Sequence, residues 1–152
     1  TKGVFDLDSI QLIQILKNMK DKGVFQNGEK IISVQPKIFI GAATNPFSSS
    51  IYLRKDRLQK KINAGVDFIQ TQSVYNIEKF KNWVDEIKLN GLDKKVFILA
   101  GVTPLKSLKM AERMKFHVPG VDIPDKIYNR MKNARDQKNE GFKIALEIAS
   151  PI

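Results

Sequence analysis

Ile38-Phe39-Ile40-Gly41-Ala42-Ala43 is an unbroken apolar run, and Thr44-Asn45-Pro46 closes it. A strand with one wet face alternates apolar and polar residues, whereas a parallel strand covered on both faces is apolar throughout. Asn45-Pro46 ends the run because the residue before a proline avoids the helical region. Two further segments of the same kind follow, Asp67-Phe68-Ile69-Gln70-Thr71-Gln72 and Val96-Phe97-Ile98-Leu99-Ala100. Between and around them lie amphipathic stretches with helical periodicity. Short apolar strands alternating with helices imply a parallel sheet in an α/β domain.

Working outward, Asp8 or Ser9 is placed to cap a first helix with a stripe of Leu12, Ile13, Leu16 and Met19. Gly23 stops that helix, and Gln26-Asn27-Gly28 makes a turn. A strongly basic helix is expected over 51–64, closed by Gly65. The next, over 76–89, puts Ile77, Phe80, Trp83, Val84 and Ile87 on one face, with Gly91 at its stop. Ser107 caps a helix bearing Leu108, Ala111 and Met114. Val118-Pro119-Gly120-Val121-Asp122-Ile123-Pro124 is too rich in proline for regular structure. A last helical pair covers 125–149, with its break expected near 139–141.

Repeated βα units suit either an open doubly wound sheet or a (β/α)8 barrel. A complete barrel takes ~250 residues, and this single domain, 1–152, has 152. The expected fold is therefore a partial (β/α)8 TIM barrel of about three parallel strands with flanking helices. Three such strands leave two apolar edges unpaired, a recognised route to aggregation. Something outside these residues is expected to cover them.

Composition narrows the chemistry. There are no cysteines and one histidine, His117, which removes thiolate metal sites and Cys nucleophiles and argues against a zinc centre or a Ser-His-Asp triad. No metal site is expected. No run approaches a membrane span, and the first residues lack the apolar core of a signal peptide. The net charge is +10. It fits a solvated basic surface, anionic small ligands or nucleic acid, but the lysines are dispersed and no aromatic-and-basic recognition motif accompanies them.

In both candidate folds, functional residues gather at the C-terminal ends of the strands. Here those ends are Ala42-Ala43-Thr44-Asn45, Thr71-Gln72 and Gly101-Val102-Thr103. They carry small residues, amides and hydroxyls without a carboxylate or histidine, which suits hydrogen bonding to a heterocycle better than proton transfer. Gln70 and Gln72 share one face of their strand and Thr71 takes the other. The two amides either bond within the fold or meet a ligand. Gly41-Ala42-Ala43 either packs closely or lets a planar ligand approach the backbone. Arg54, Arg57 and Lys61 share a helix side, either solvated or paired with phosphate. Asp6-Leu7-Asp8-Ser9 either caps a helix or binds ribose hydroxyls. Neither a P-loop nor a G-x-G-x-x-G is present.

Five segments, taken together and in order, resemble the methylenetetrahydrofolate reductase family in its bacterial and archaeal branch. They are Val4-Phe5-Asp6-Leu7-Asp8-Ser9; Gly41-Ala42-Ala43-Thr44-Asn45-Pro46; Lys61 with Ala64-Gly65-Val66-Asp67-Phe68-Ile69-Gln70-Thr71-Gln72; Leu99-Ala100-Gly101-Val102-Thr103-Pro104-Leu105; and Val118-Pro119-Gly120-Val121-Asp122-Ile123-Pro124. The resemblance implies a cytoplasmic FAD-dependent oxidoreductase of one-carbon metabolism and methionine biosynthesis. Such an enzyme takes a hydride from NAD(P)H or another donor and reduces 5,10-methylenetetrahydrofolate to 5-methyltetrahydrofolate. It further implies that Gln72 meets the pterin ring of the folate and that Met114 falls near a substrate contact. Lys61 would lie on the FAD side, with Asp8, Ser9 and Ala43 in segments lining that cofactor.

This chain also departs from the family. The family's first strand, with its glutamate, and its Gly-Asp segment beside the flavin have no counterpart here, and the final strand is also expected to be missing. After Gln72 stand Ser73, Val74, Tyr75 and Asn76, where many members have aromatics and then aspartate. The resemblance thus implies an interior-to-C-terminal portion of the barrel that supplies part of an active site and no catalytic residue of its own. Its complement would be the remainder of a longer chain or further copies in a homo-oligomer. A noncatalytic flavin- or partner-binding barrel relative is the alternative, and a nucleic-acid module is disfavoured.

Overall fold

A computed structural model describes residues 6–48 and 51–151, with side chains at 6–48 and 55–151. Helix α1 (Ser9–Lys22) precedes β1 (Gly41–Thr44), α2 (Ile51–Ala64), β2 (Phe68–Ser73), α3 (Ile77–Leu89) and β3 (Phe97–Gly101). Helices α4 (Leu108–His117), α5 (Asp125–Asn133) and α6 (Gln137–Ala149) complete the order. The strands form one parallel sheet in the order β1-β2-β3. Successive parallel strands joined by helices are the repeating unit of a β/α barrel.

Local chemistry sets the element ends. The Asp8 carboxylate accepts from the Ile10 and Gln11 amides at 2.8 Å each, and the Gln11 side chain accepts in return from the Asp8 amide. This is a complete capping box. Gly23 then leaves α1 at φ 63°. Asn76 and Ser107 cap α3 and α4 through their side chains.

β1 begins three residues later than the apolar run because Asp67 caps its start. The Asp67 carboxylate accepts from the Ile40 amide and from the Lys20 ammonium, both at 2.7 Å. Burial penalises this carboxylate, but the Ile40 amide and Lys20 outweigh it and hold its pKa below the ordinary value.

The break in the C-terminal helical pair falls at 134–136, not at 139–141. Asp136 caps α6 by accepting from the Asn139 amide at 3.0 Å. Gly141 lies inside α6, where a Cβ would stand 1.7 Å from the Leu105 carbonyl oxygen. The glycine serves close approach, not a turn.

The core lies on one side of the sheet. Ile69, Val74, Leu105, Ile123, Met131 and Ile144 are almost fully buried among the helices. On the other side, the cross-strand register places Gly41 beside Phe68 and Phe97, and Ala43 beside Gln70 and Leu99. No described helix covers that side. Phe39, Phe97 and Leu99 are 62%, 70% and 50% exposed, so the apolar run is covered on one face only. Covering a side chain of this size is worth about 1.5–3 kcal/mol, and the bare side is the one that would face the interior of a closed barrel.

Candidate functional site

The C-terminal ends of β1 and β2 open onto a cleft of about 420 Å³. Ala43, Thr44, Asn45, Ser48, Arg57, Lys61 and Gln72 line it. Lys61, in the last turn of α2, reaches back over the strand end and donates to the Ala43 carbonyl at 2.6 Å. Burial, and then the nearby Arg57, depress the pKa of Lys61. Among the described residues, neither cation has a carboxylate at ion-pair distance. Two adjacent uncompensated cations create a positive potential that a bound anion relieves.

Gln72 ends the same face of β2, and its position is tied down from behind. Thr71 points into the helical side and is buried. Its hydroxyl donates to the Gln72 carbonyl at 2.9 Å and accepts from the Gly101 amide at 3.0 Å. This bond bridges the register irregularity between Gln70 and Ser73. The Gln72 side chain is left exposed on the cleft and makes no hydrogen bond among the described residues. Gly120 (φ +83°) brings the loop after α4 against the opposite wall, where a Cβ would meet the Asn45 side-chain nitrogen at 1.9 Å.

A second cleft, of about 460 Å³, continues down the bare side over Gly41, Ala43, Phe68, Gln70 and Gln72. Gly41 has no Cβ there because the Phe68 ring lies across it, 2.2 Å from where that atom would be. The two clefts share Ala43 and Gln72. Among the described residues, no carboxylate lines either one.

The structure therefore brings Ala43, Lys61 and Gln72 together and leaves the other expected residues elsewhere. The Asp8 carboxylate is occupied by the α1 cap, and neither Asp8 nor Ser9 lines either of these two clefts. Met114 sits behind the strand ends, where its sulfur is 3.5 Å from the Tyr75 hydroxyl. That hydroxyl donates to the Thr103 carbonyl at 2.8 Å, and burial pushes the Tyr75 pKa up to about 12. The Arg54 side chain lies outside the described residues. Arg57 was legible through its i, i+4 spacing to Lys61. Ser48 carried no local signal.

Bulk-free strand ends, the free Gln72 amide and two neighbouring cations in one mouth suit a planar heterocycle joined to an anionic group. A diphosphate-bearing flavin has that form, and the donor set fits it. The class of protein is thus a parallel β/α-barrel segment with a ligand-binding mouth at its strand ends. Residues 32–151 match the methylenetetrahydrofolate reductase family, and the chain belongs to that family.

Methylenetetrahydrofolate reductase 2 of Saccharomyces cerevisiae is 29% identical over 109 residues, 69% of this chain and 18% of the yeast protein. Methylenetetrahydrofolate reductase 1 of Schizosaccharomyces pombe is 30% identical over 100 residues, 62% of this chain and 16% of that protein. The chain therefore spans less than a fifth of these relatives. Among solved structures, it is similar in fold to an uncharacterized protein from Clostridium thermocellum that binds two copies of 5-methyl-5,6,7,8-tetrahydrofolic acid. The TM-score is 0.66 at 23% identity, over 95% of this chain and 46% of the other.

Proposed function

We propose that this chain forms the flavin- and folate-binding part of a methylenetetrahydrofolate reductase barrel, which reduces 5,10-methylenetetrahydrofolate to 5-methyltetrahydrofolate. The observation that carries this reading is the convergence of Lys61, Arg57, Ala43 and Gln72 on one cleft in a member of this family. FAD, when bound, supplies the hydride-transfer chemistry. Lys61 and Arg57 hold its anionic part, and the bare backbone at Ala43 admits its ring. Gln72 bonds the pterin and orients the folate.

Among the described residues the lining of the two clefts is amides, hydroxyls and cations, which supports a binding role for this chain over proton transfer to the substrate. The proton donor, the hydride donor's contacts and the cover for the bare sheet face come from further β/α units, in the same polypeptide or in a second copy. NAD(P)H is the expected donor, and a cytoplasmic location belongs to the same reading. The fold similarity to a protein that binds a methylated folate supports the choice of substrate.

The test is stopped-flow absorbance of the flavin in the completed barrel. Gln72→Ala slows reoxidation of reduced flavin by methylenetetrahydrofolate and leaves flavin reduction by the donor much less affected. Equal loss in both half-reactions, or in neither, refutes the assignment of Gln72 to the folate.

A further inference from the structure

Gln70 lies one layer deeper than Gln72 on the same bare face of β2, with alternate residues of a strand ~6.6 Å apart. Its register neighbours are Ala43 on one side and Leu99 on the other, and neither has a polar side chain. Below it the rings of Phe68 and Phe39 stack at 5.5 Å between centroids. The Gln70 side chain is exposed on the bare face and makes no hydrogen bond among the described residues, but closure of the barrel would take the apolar layer around it out of water. A buried amide requires a partner. No side chain at its level on β1 or β3 supplies one, and the open space beside it is the cleft over Gly41 and Ala43.

The shape of that cleft names the partner. A side-chain amide presents a donor and an acceptor side by side, which complements the carbonyl–NH edge of a conjugated ring. Phe68, whose ring lies across the bare Gly41 backbone, makes an aromatic floor. Ala43 is flanked by Gln70 through the register and by Lys61 through its carbonyl. A ligand with its ring edge at Gln70 therefore has its anionic part within reach of Lys61 and Arg57.

We propose that Gln70 is a further cofactor-binding residue, hydrogen-bonded to the carbonyl–NH edge of the flavin ring, while Gln72 above it serves the folate. This rests on the flavin-binding reading given above. The pterin of folate carries a similar edge, so the experiment separates the two ligands.

The purified protein, Gln70→Leu and Gln70→Asn are each titrated with FAD alone and with 5-methyltetrahydrofolate alone. The absorption spectrum and midpoint potential of the bound flavin are recorded as well. Loss of one hydrogen bond predicts FAD binding about two- to twelve-fold weaker in Gln70→Leu, with a changed flavin spectrum and potential and folate affinity held within about two-fold. Gln70→Asn keeps the amide but withdraws it by one methylene, so the same direction of change is expected. It also carries the test if the leucine variant misfolds, which a thermal melt reveals. Wild-type affinity and potential in both variants overturn the inference alone, as does a loss confined to folate. A wild-type protein that takes up no flavin overturns the inference together with the reading it rests on.

Discussion

Asp67→Asn removes one charge from a junction that joins three elements. The carboxylate ties Lys20 of α1 to the start of β2 and accepts from the Ile40 amide just before β1, each bond being 2.7 Å. Asn keeps an oxygen for the Ile40 amide, so the charge–charge contact with Lys20 is what is lost. The two side chains are only 25% and 21% exposed, which places the pair between a screened surface bridge of about 0–1 kcal/mol and a charge-assisted buried bond of about 1.5–3 kcal/mol.

A loss of about 1–2 kcal/mol follows, or about 2–8 °C in melting temperature for a domain of this size. The folded pKa of Asp67 is depressed. Its stabilisation is therefore complete above the unfolded value of about 3.9 and disappears as pH falls through the lower folded value. Thermal or urea melts from about pH 7 down to about pH 3 should show the gap between wild type and variant narrowing with acid. A gap that stays constant, or widens, as the pH falls would refute the assignment of this stability to the Asp67 charge.

Gly141→Ala drives a methyl into the Leu105 carbonyl, 1.7 Å from the Cβ position. Overpacking against backbone costs about 1–3 kcal/mol or more, and a melt coincident with wild type would contradict that contact. The bare sheet face should make the isolated 152-residue chain associate. Phe97→Asp, on the most exposed of its rings, should lower the sedimenting mass, and a sharp-melting wild-type monomer would sink the claim. The isolated chain should also show no steady folate reduction with any donor. Turnover would demand an acid from a residue such as Asp122, whose carboxylate is held by Lys79 at 2.6 Å.

Sequence reading reached the three strands and their helices because each strand is a short apolar run bounded by clear turn chemistry. It could not tell which side of β1 would be covered. Phe39 and Ile40 are both apolar, and only the tertiary arrangement buries Ile40 to 3% while leaving Phe39 bare. The expected break near Gly141 failed for a similar reason. A glycine that permits close approach reads locally like a glycine that turns the chain, and the Leu105 carbonyl that distinguishes them is distant in sequence.

At the site, period-two alternation correctly put Gln70 and Gln72 on one face. Helical spacing linked Arg57 to Lys61, but the contact of Lys61 with Ala43 spans two elements and left no local trace. The capping option for Asp8 was already legible in Asp8-Ser9-Ile10-Gln11, which has the polar first and fourth positions of a capping box. Met114, placed near a substrate contact by resemblance, has its sulfur beside the Tyr75 hydroxyl, a neighbour no spacing could reveal.

Two ligands titrated against two variants test the central claim most directly. FAD and 5-methyltetrahydrofolate are each added to wild type, Lys61→Ala and Gln72→Ala at low and at physiological salt. Lys61→Ala should weaken FAD by about tenfold at low salt and by less as salt screens the charge, with little effect on folate. Gln72→Ala should weaken folate by about 0.5–1.5 kcal/mol at either salt and spare FAD. The reverse pattern, or equal loss of both ligands in both variants, would contradict a mouth in which Lys61 holds the cofactor and Gln72 the substrate.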